Sequence, residues 1–501
     1  MKFASYKTSA IIIVLIGALI RIILALHNFP AGDSTWHLNV ARFIAETNTI
    51  PSFESLGREM FSYPPVFYLL CVFFYKIFII FGPSFAETSM KLVSPLFGSL
   101  SLGVTFLLAK ELYDEKIGFY ATLFVTFLPI HIFLSSIAHL DMTFSFFILV
   151  SVYFAIRKEF FWSALSIGLA NNVRFYGILI FPVFAYILFK SLLTKSFFDK
   201  IFLKKLFFYG FIVFLLSVPW FIRNYEVIGN PVYPAFNTFF HAQNSYVAEQ
   251  YTSSIFNIFD AKYFTRIPLE IVGVPNGEMQ NLFSINFPYR NFLLFVWFFG
   301  CLVFFVPLLF YKLDHDIFKK NLFFLWSGMF IFFMIAIAYE VNTYARHFLP
   351  AIPIIACMWG IGVSNLFLRL QKYSNSTFLK KLVVVLFICI IVGFVFVEGV
   401  KNVVATKQWE RYDTDYDWVK GHTPTDALFY WDAQGLSFLI DRPTAPLTNI
   451  TSAKKGYFWV QEEKDARGRV SSMIRSLPVS HEQVSLVYEN NMTRTKIYKL
   501  K

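Results

Sequence analysis

Uninterrupted apolar stretches of roughly 14 to 22 residues recur along this chain, and no other feature limits its fold so strongly. They lie near residues 9–26, 91–109, 117–135, 142–156, 160–173, 175–193, 206–222, 292–311, 321–338, 347–368 and 382–398. A helix needs about 20 such residues to cross a bilayer, where its backbone groups must satisfy one another. Apolar residues make up 56% of the 501 and charged residues 15%. Soluble domains average about 25% charged, so most of this chain cannot face water. A soluble enzyme, a disordered protein and a fibre are excluded. The expected fold class is an all-α polytopic membrane protein with about 11 transmembrane helices.

The first stretch follows Lys2 and Lys7, carries Arg21 and ends at His27-Asn28-Phe29-Pro30 without a small-x-small cleavage site. It reads as a retained span, not a signal peptide. A twelfth stretch, Pro64 to Phe81, is about 18 residues long and ambiguous. Loop charge separates the alternatives. If Pro64–Phe81 does not span, six alternate segments hold eighteen Lys and Arg, with the largest group at Lys190, Lys195, Lys200, Lys204 and Lys205. The opposite short loops, 135–140, 171–174 and 340–346, hold two in all. Positive charge collects on the cytoplasmic side, so Pro64–Phe81 is expected in the outer interface. Dropping 160–173 as a span is the second choice, because it leaves Lys110, Lys116, Arg157 and Lys158 outside.

The N-terminus is then cytoplasmic, and outer loops cover 29–89 and 223–290. The two domains are a transmembrane unit, 1–400, and an extracytoplasmic C-terminal domain, 401–501. Strand-like runs at 427–431 and 483–488 alternate there with polar helical stretches, which predicts a small α/β domain. The net charge of +12 fits cytoplasmic loop lysines and no nucleic-acid partner. Cys71, Cys301, Cys357 and Cys389 all lie in apolar runs without metal spacing, so no disulfide or metal site is expected.

The residues that look chemical gather at outer helix ends. Asp33 follows the first span, and His37 is one helical turn on, on the same face. The helix they open is expected to turn Trp36, Val40 and Phe43 to the membrane. A carboxylate held there can act as a general base, or it can simply cap the helix. Asp141, in His139-Leu140-Asp141-Met142, opens another apolar run and is open to the same two readings. Arg174, Arg223, Arg346 and His347 also stand at outer ends. Each alone reads as an interfacial anchor. Together they suit one anionic lipid headgroup, because guanidinium groups grip phosphate with paired donors.

These features resemble a known superfamily. Asp33 after the first span, Tyr63-Pro64-Pro65-Val66-Phe67-Tyr68 in the first outer loop, and Lys91-Leu92-Val93-Ser94-Pro95 are similar to the GT-C membrane glycosyltransferases. Pro219-Trp220-Phe221-Ile222-Arg223-Asn224-Tyr225 and Arg346-His347-Phe348-Leu349-Pro350 resemble the protein O-mannosyltransferase and aminoarabinose transferase branch. The resemblance implies a sugar taken from a polyprenyl-phosphate carrier and passed to a hydroxyl of a protein, lipid or glycan on the extracytoplasmic face. It implies interfacial helices in the first outer loop, the catalytic acid at Asp33 and a second acid at Asp141. Members often show Asp-Glu where this chain has Asp33-Ser34, which weakens any metal role. The expectation is an inverting transfer without cofactor or metal, with Asp33 as base and His37, Tyr63, Asp141, Arg174, Arg223, Arg346 and His347 around the substrates. The alternative is a lipid flippase or transporter, which would place its charged sites near the membrane midplane.

Overall fold

The computed structural model describes residues 5–27, 33–51, 61–192, 199–233, 237–241, 317–338, 345–373, 413–430, 440–445, 455–464, 470–472, 483–493 and 495–501. The expected spans at 292–311 and 382–398, and loop 242–290, lie outside them.

The described chain is mostly helical. Its main helices are α1 (Tyr6–His27), α2 (Asp33–Thr47), α3 (Val66–Phe78), α4 (Pro83–Met90), α5 (Val93–Leu112), α6 (Glu115–Phe127), α7 (Pro129–Ser136), α8 (Leu140–Ile156), α9 (Phe160–Asn171), α10 (Phe181–Ser191), α11 (Lys200–Ile228), α12 (Ile317–Ala338) and α13 (Ile352–Tyr373). Among the described residues, four helical stretches are long and apolar enough to cross a membrane: Tyr6–His27, Pro83–Leu112, Lys200–Ile228 and Arg346–Asn365. The run at 117–135 is not straight: α6 and α7 meet at a 60° bend. Pro129 causes it, because it lacks the N–H that would continue the ladder.

Caps fix the ends of these helices. Asp199 accepts from the Ile201 and Phe202 amides at 2.8 and 3.2 Å and starts α11. Gly229 ends it with φ of +83°, a left-handed turn that costs glycine little. α3 shows two faces. Phe67, Tyr68, Cys71 and Tyr75 are buried, while Leu69, Phe73 and Ile77 are exposed at four-residue intervals. A helix of 13 residues with such a stripe is short for a span.

α2 departs from expectation. Trp36 and Val40 are buried and only Phe43 is exposed. Trp36 packs on Tyr63 with ring centres 4.9 Å apart and on Phe61 at 6.1 Å. The returning loop supplies aromatic cover, so the apolar side of α2 faces protein where lipid was expected.

Arg21 of α1 is fully buried. It donates to the carbonyls of Gly17 (2.9 Å), Val125 (3.4 Å) and Thr126 (3.1 Å), and contacts His131 Nδ1 at 2.8 Å and Ser135 Oγ at 3.3 Å. Val125 and Thr126 lie at the end of α6, where Pro129 offers no N–H to continue the ladder and Val125 keeps only a long bond from the Leu128 amide, 3.4 Å. A span arginine that looked like an oddity in the sequence is therefore the clamp of a broken helix. Leaving a buried carbonyl unpaired costs about 1–3 kcal/mol. Arg21→Met should lower the detergent melting temperature by several degrees, and an unchanged melting curve would remove Arg21 from this role.

The C-terminal segment forms a short helix, α14 (Asp413–His422), and six strands: β1 (Phe429–Tyr430), β2 (Thr444–Ala445), β3 (Tyr457–Lys464), β4 (Val470–Ser472), β5 (Val484–Asn490) and β6 (Thr495–Leu500). The sheet order is β2-β1-β3-β6-β5, with β4 pairing β3. β1 runs parallel to β2 and β3, and the other pairs are antiparallel. Tyr416, Val419, Phe429, Ile440, Trp459 and Ile497 form its core. Asp415 of α14 is buried and accepts from Tyr488 Oη, Asn490 Nδ2 and Thr495 Oγ1 at 2.6–2.7 Å, which fixes the helix on β5 and β6. Arg42 of α2 meets Asp441, in the turn before β2, Glu46 at 2.8 Å and Glu87 at 3.3 Å. The helix that begins at Asp33 is thus tied to the turn that leads into β2.

Candidate functional site

Three segments far apart in sequence meet beside the start of α2. α2 brings Asp33 and His37. The start of α8 brings His139 and Asp141. Arg174 precedes the 3₁₀ turn Phe175–Ile180, and Arg346 and His347 open the 3₁₀ turn Ala345–Ala351.

Arg346 is the hub. Its Nη1 donates to Asp33 Oδ2 at 2.9 Å and lies 3.1 Å from His139 Nε2. Its Nε is 3.7 Å from Asp141 Oδ2. Asp141 pairs with Arg174 Nε at 2.5 Å and with His139 Nδ1 at 3.0 Å. His139 Nε2 is 3.7 Å from Asp33 Oδ2. Two carboxylates and two guanidinium groups therefore alternate around one imidazole, and with neutral imidazoles their charges cancel.

Exposure shows where a ligand can enter. The side chains of Asp33 and Arg346 are 44% and 27% exposed, whereas His139 and Asp141 are 3% and 2%. The cluster has an open lip and a buried floor. At the lip, the His139 ring and then the Arg346 guanidinium hold the Asp33 carboxyl well below the usual carboxylate range, with burial opposing them. His37 is held well below its ordinary value, chiefly by burial.

The expected site residues fall into two groups. Asp33, Asp141, Arg174 and Arg346 join in the ion-pair cluster. His37 lies behind it, with Nδ1 3.0 Å from Tyr68 Oη and its ring 5.2 Å from that of His139. Tyr63 closes the same wall, 6.0 Å from His37. His347 is buried, with its ring edge-on to Tyr176 at 6.3 Å. Arg223 is placed differently. It donates to the carbonyls of Phe61 and, at 3.0 Å, Pro51, and lies over the Trp220 ring at 4.9 Å. Its contacts hold Pro51 and Phe61 against α11.

Sequence reasoning passed over His139, Tyr68 and Tyr176. His139 had one signal: it stands two residues before Asp141, at the N-cap of α8. Among the described residues no group of three or more His, Cys, Asp or Glu is arranged to hold a metal ion.

Comparisons with known proteins agree with this architecture. A family model described as dolichyl-phosphate-mannose-protein mannosyltransferase matches residues 62–222. No curated protein matches the chain in sequence. Among solved structures, ArnT from Cupriavidus metallidurans in the apo state superposes with a TM-score of 0.68 at 12% identity, covering 99% of this chain and 98% of that one. The same protein bound to undecaprenyl phosphate gives 0.67 at 13%, with equal coverage. The chain shares the fold of that protein. The archaeal oligosaccharyltransferase AglB from Archaeoglobus fulgidus, in complex with an inhibitory peptide and a dolichol-phosphate, is more distant: TM-score 0.56, 12% identity, covering 95% of this chain and 76% of that one.

Proposed function

We propose that this chain is an integral-membrane glycosyltransferase that moves a sugar from a polyprenyl-phosphate carrier to an acceptor hydroxyl on the extracytoplasmic face. The observation that carries the reading is the open-lipped cluster in which Asp33 and Arg346 are joined and exposed together. The likeness to ArnT bound to undecaprenyl phosphate and to the mannosyltransferase family model supports it.

The mechanism follows from the placement of charge. The sugar stays on its carrier until one displacement at its anomeric carbon. The acceptor oxygen forms the new bond as the bond to the phosphate oxygen breaks. Asp33 receives the acceptor proton. Arg346, with Arg174 behind it, offsets the charge that grows on the departing phosphate. No covalent enzyme intermediate is required, and no cofactor enters the scheme. His37 and Tyr63 form the wall behind Asp33. The experiment is transfer of labelled sugar from synthetic polyprenyl-phosphate donors by the purified chain. Failure with mannose, glucose and aminoarabinose donors alike would count against the reading.

The orientation we favour has eleven spans, a cytoplasmic N-terminus, α3 in the outer interface, and residues 401–501 as an extracytoplasmic domain. The exposed stripe on α3 and the lysines flanking α11 support it. A cysteine placed at Lys200 should react only with reagent on the cytoplasmic side, and one at Ser485 only from outside. Outside labelling at position 200 would reverse the topology.

A further inference from the structure

Asp33 can act only where α2 places it. Its side chain is 44% exposed, so packing does little to fix the carboxyl and the position of the helix decides its reach. At its start α2 is held by Ser34 Oγ, which accepts from the Ala138 amide at 3.0 Å, and by the Asp33–Arg346 pair. Nine residues on, about 13 Å along the axis, Arg42 forms a second hold. It meets Glu87 of α4 at 3.3 Å and Asp441 of the C-terminal segment.

Asp441 stands on a turn that is anchored on both sides. Ile440 before it is buried in the core of the sheet, and Arg442 after it is buried as well. Arg442 donates to the carbonyls of Lys420, Thr423 and Asp441 at 2.8–2.9 Å and to Thr423 Oγ1 at 3.1 Å. Lys420 and Thr423 lie at the end of α14, where a helix leaves carbonyls unpaired and favours a cation. The Phe429 amide donates to the Pro443 carbonyl at 2.9 Å and ties the turn to β1. Between these anchors Asp441 has a φ of +54°. A left-handed residue other than glycine persists where its surroundings over-determine it, and such residues gather at functional sites. Here the turn carries the carboxylate to Arg42.

Charge explains why the hold is built on an arginine. Three carboxylates share it: Glu46 at Nε, Glu87 at Nη1 and Asp441 at Nη2. A planar guanidinium serves three acids through separate nitrogens, which a lysine cannot match. Without the cation, acids on α2, α4 and the turn would repel one another.

We propose that Arg42 and Asp441 are positioning residues: through their pair the C-terminal sheet sets where α2 places Asp33. This rests on the reading of Asp33 as the base. Arg346 and Arg174 come from other segments, so a loosened Arg42–Asp441 pair slows transfer and spares binding of the lipid phosphate.

The test uses the full chain in detergent. Asp441→Gly removes the carboxylate and keeps the turn, since glycine takes a left-handed φ without strain. Its kcat for transfer should fall about tenfold or more, because misplacement by about 1 Å can cost a hundredfold, while its affinity for undecaprenyl phosphate stays within about twofold of wild type. Asp441→Asn, which keeps an acceptor at that point, should lie between the two. Glu46→Gln breaks only a pair inside α2 and should stay within about twofold of wild type. A kcat for Asp441→Gly close to wild type overturns the proposal. So does an equal loss of kcat and lipid affinity, which would mark a general loosening of the fold. Amide hydrogen exchange gives a readout independent of turnover: α2 should exchange about fivefold faster in Asp441→Gly, with α5 unchanged. Unaltered exchange in α2 overturns the proposal. If Asp441→Gly does not fold, Arg42→Gln is judged by the same criteria. If wild type transfers from no donor, the functional reading fails, and hydrogen exchange alone decides the role of the pair.

Discussion

Asp33→Asn is expected to fold and insert normally while sugar transfer falls by about 10²–10⁴-fold, the usual magnitude of general-base catalysis. Asn matches Asp in size and caps a helix about equally well, so the change removes proton acceptance and one charge and little else. The position is at the exposed lip, with Arg346 at 2.9 Å and His139 at 3.7 Å. Both neighbours keep Asp33 ionised when no substrate is bound. A carboxylate with so little hold on a proton is a weak base. Its basicity rises when Arg346 turns to the phosphate, which ties proton acceptance to the presence of donor. If Asp33 served only as a cap, the Asn variant would transfer normally, and Asp141 would be the next candidate. Asp141 is poorly placed for that duty: its side chain is 2% exposed and already paired with Arg174 and His139.

Arg346→Ala is expected to reduce donor use by about ten- to a hundredfold, since hydrogen bonds to charged groups contribute roughly 1.5–3 kcal/mol. Lys204→Ala, an exposed residue in the first turns of α11, should change nothing. The two effects of Arg346→Ala can be separated. Losing the phosphate contact weakens turnover, whereas losing the ion pair lets the Asp33 carboxyl rise toward its ordinary range. The variant should therefore lose transfer at a higher pH than wild type on acidification, with the larger hold of the His139 ring on Asp33 still in place. Activity equal to wild type at all pH values would remove Arg346 from the site.

Different parts of this molecule were legible in the sequence to different degrees, for physical reasons. Membrane helices announce themselves, because lipid demands a continuous apolar surface, and α1, α5 and α11 lie where the apolar runs predict. What the runs do not show is where a helix breaks. At the 60° bend at Pro129, Arg21 reaches over from α1 to donate to carbonyls at the end of α6. The strand runs near 427–431 and 483–488 became β1 and β5, but the mixed sheet order arises from long-range pairing that alternation cannot reveal.

The site was half legible. Arginines at outer helix ends break a trend of uncharged loops, and that anomaly led to Arg174 and Arg346. Arg223 breaks the same trend, yet its donors are spent on loop carbonyls. One sequence signal thus covered two roles, and only the fold separates them. Trp36 and Val40 were expected toward the membrane because amphipathicity shows an apolar side without saying what covers it. His139 was passed over because a histidine two residues before an acid is ordinary until Asp33 and Arg346 arrive from distant segments.

A structure of the full chain with undecaprenyl phosphate bound tests the central claim most directly. The account predicts phosphate density within hydrogen-bond distance of the Arg346 guanidinium, at the lip shared with Asp33, and Arg346 turned away from the Asp33 carboxylate. Phosphate density beside the α11 lysines, or an intact Arg346–Asp33 pair with the headgroup elsewhere, would contradict it.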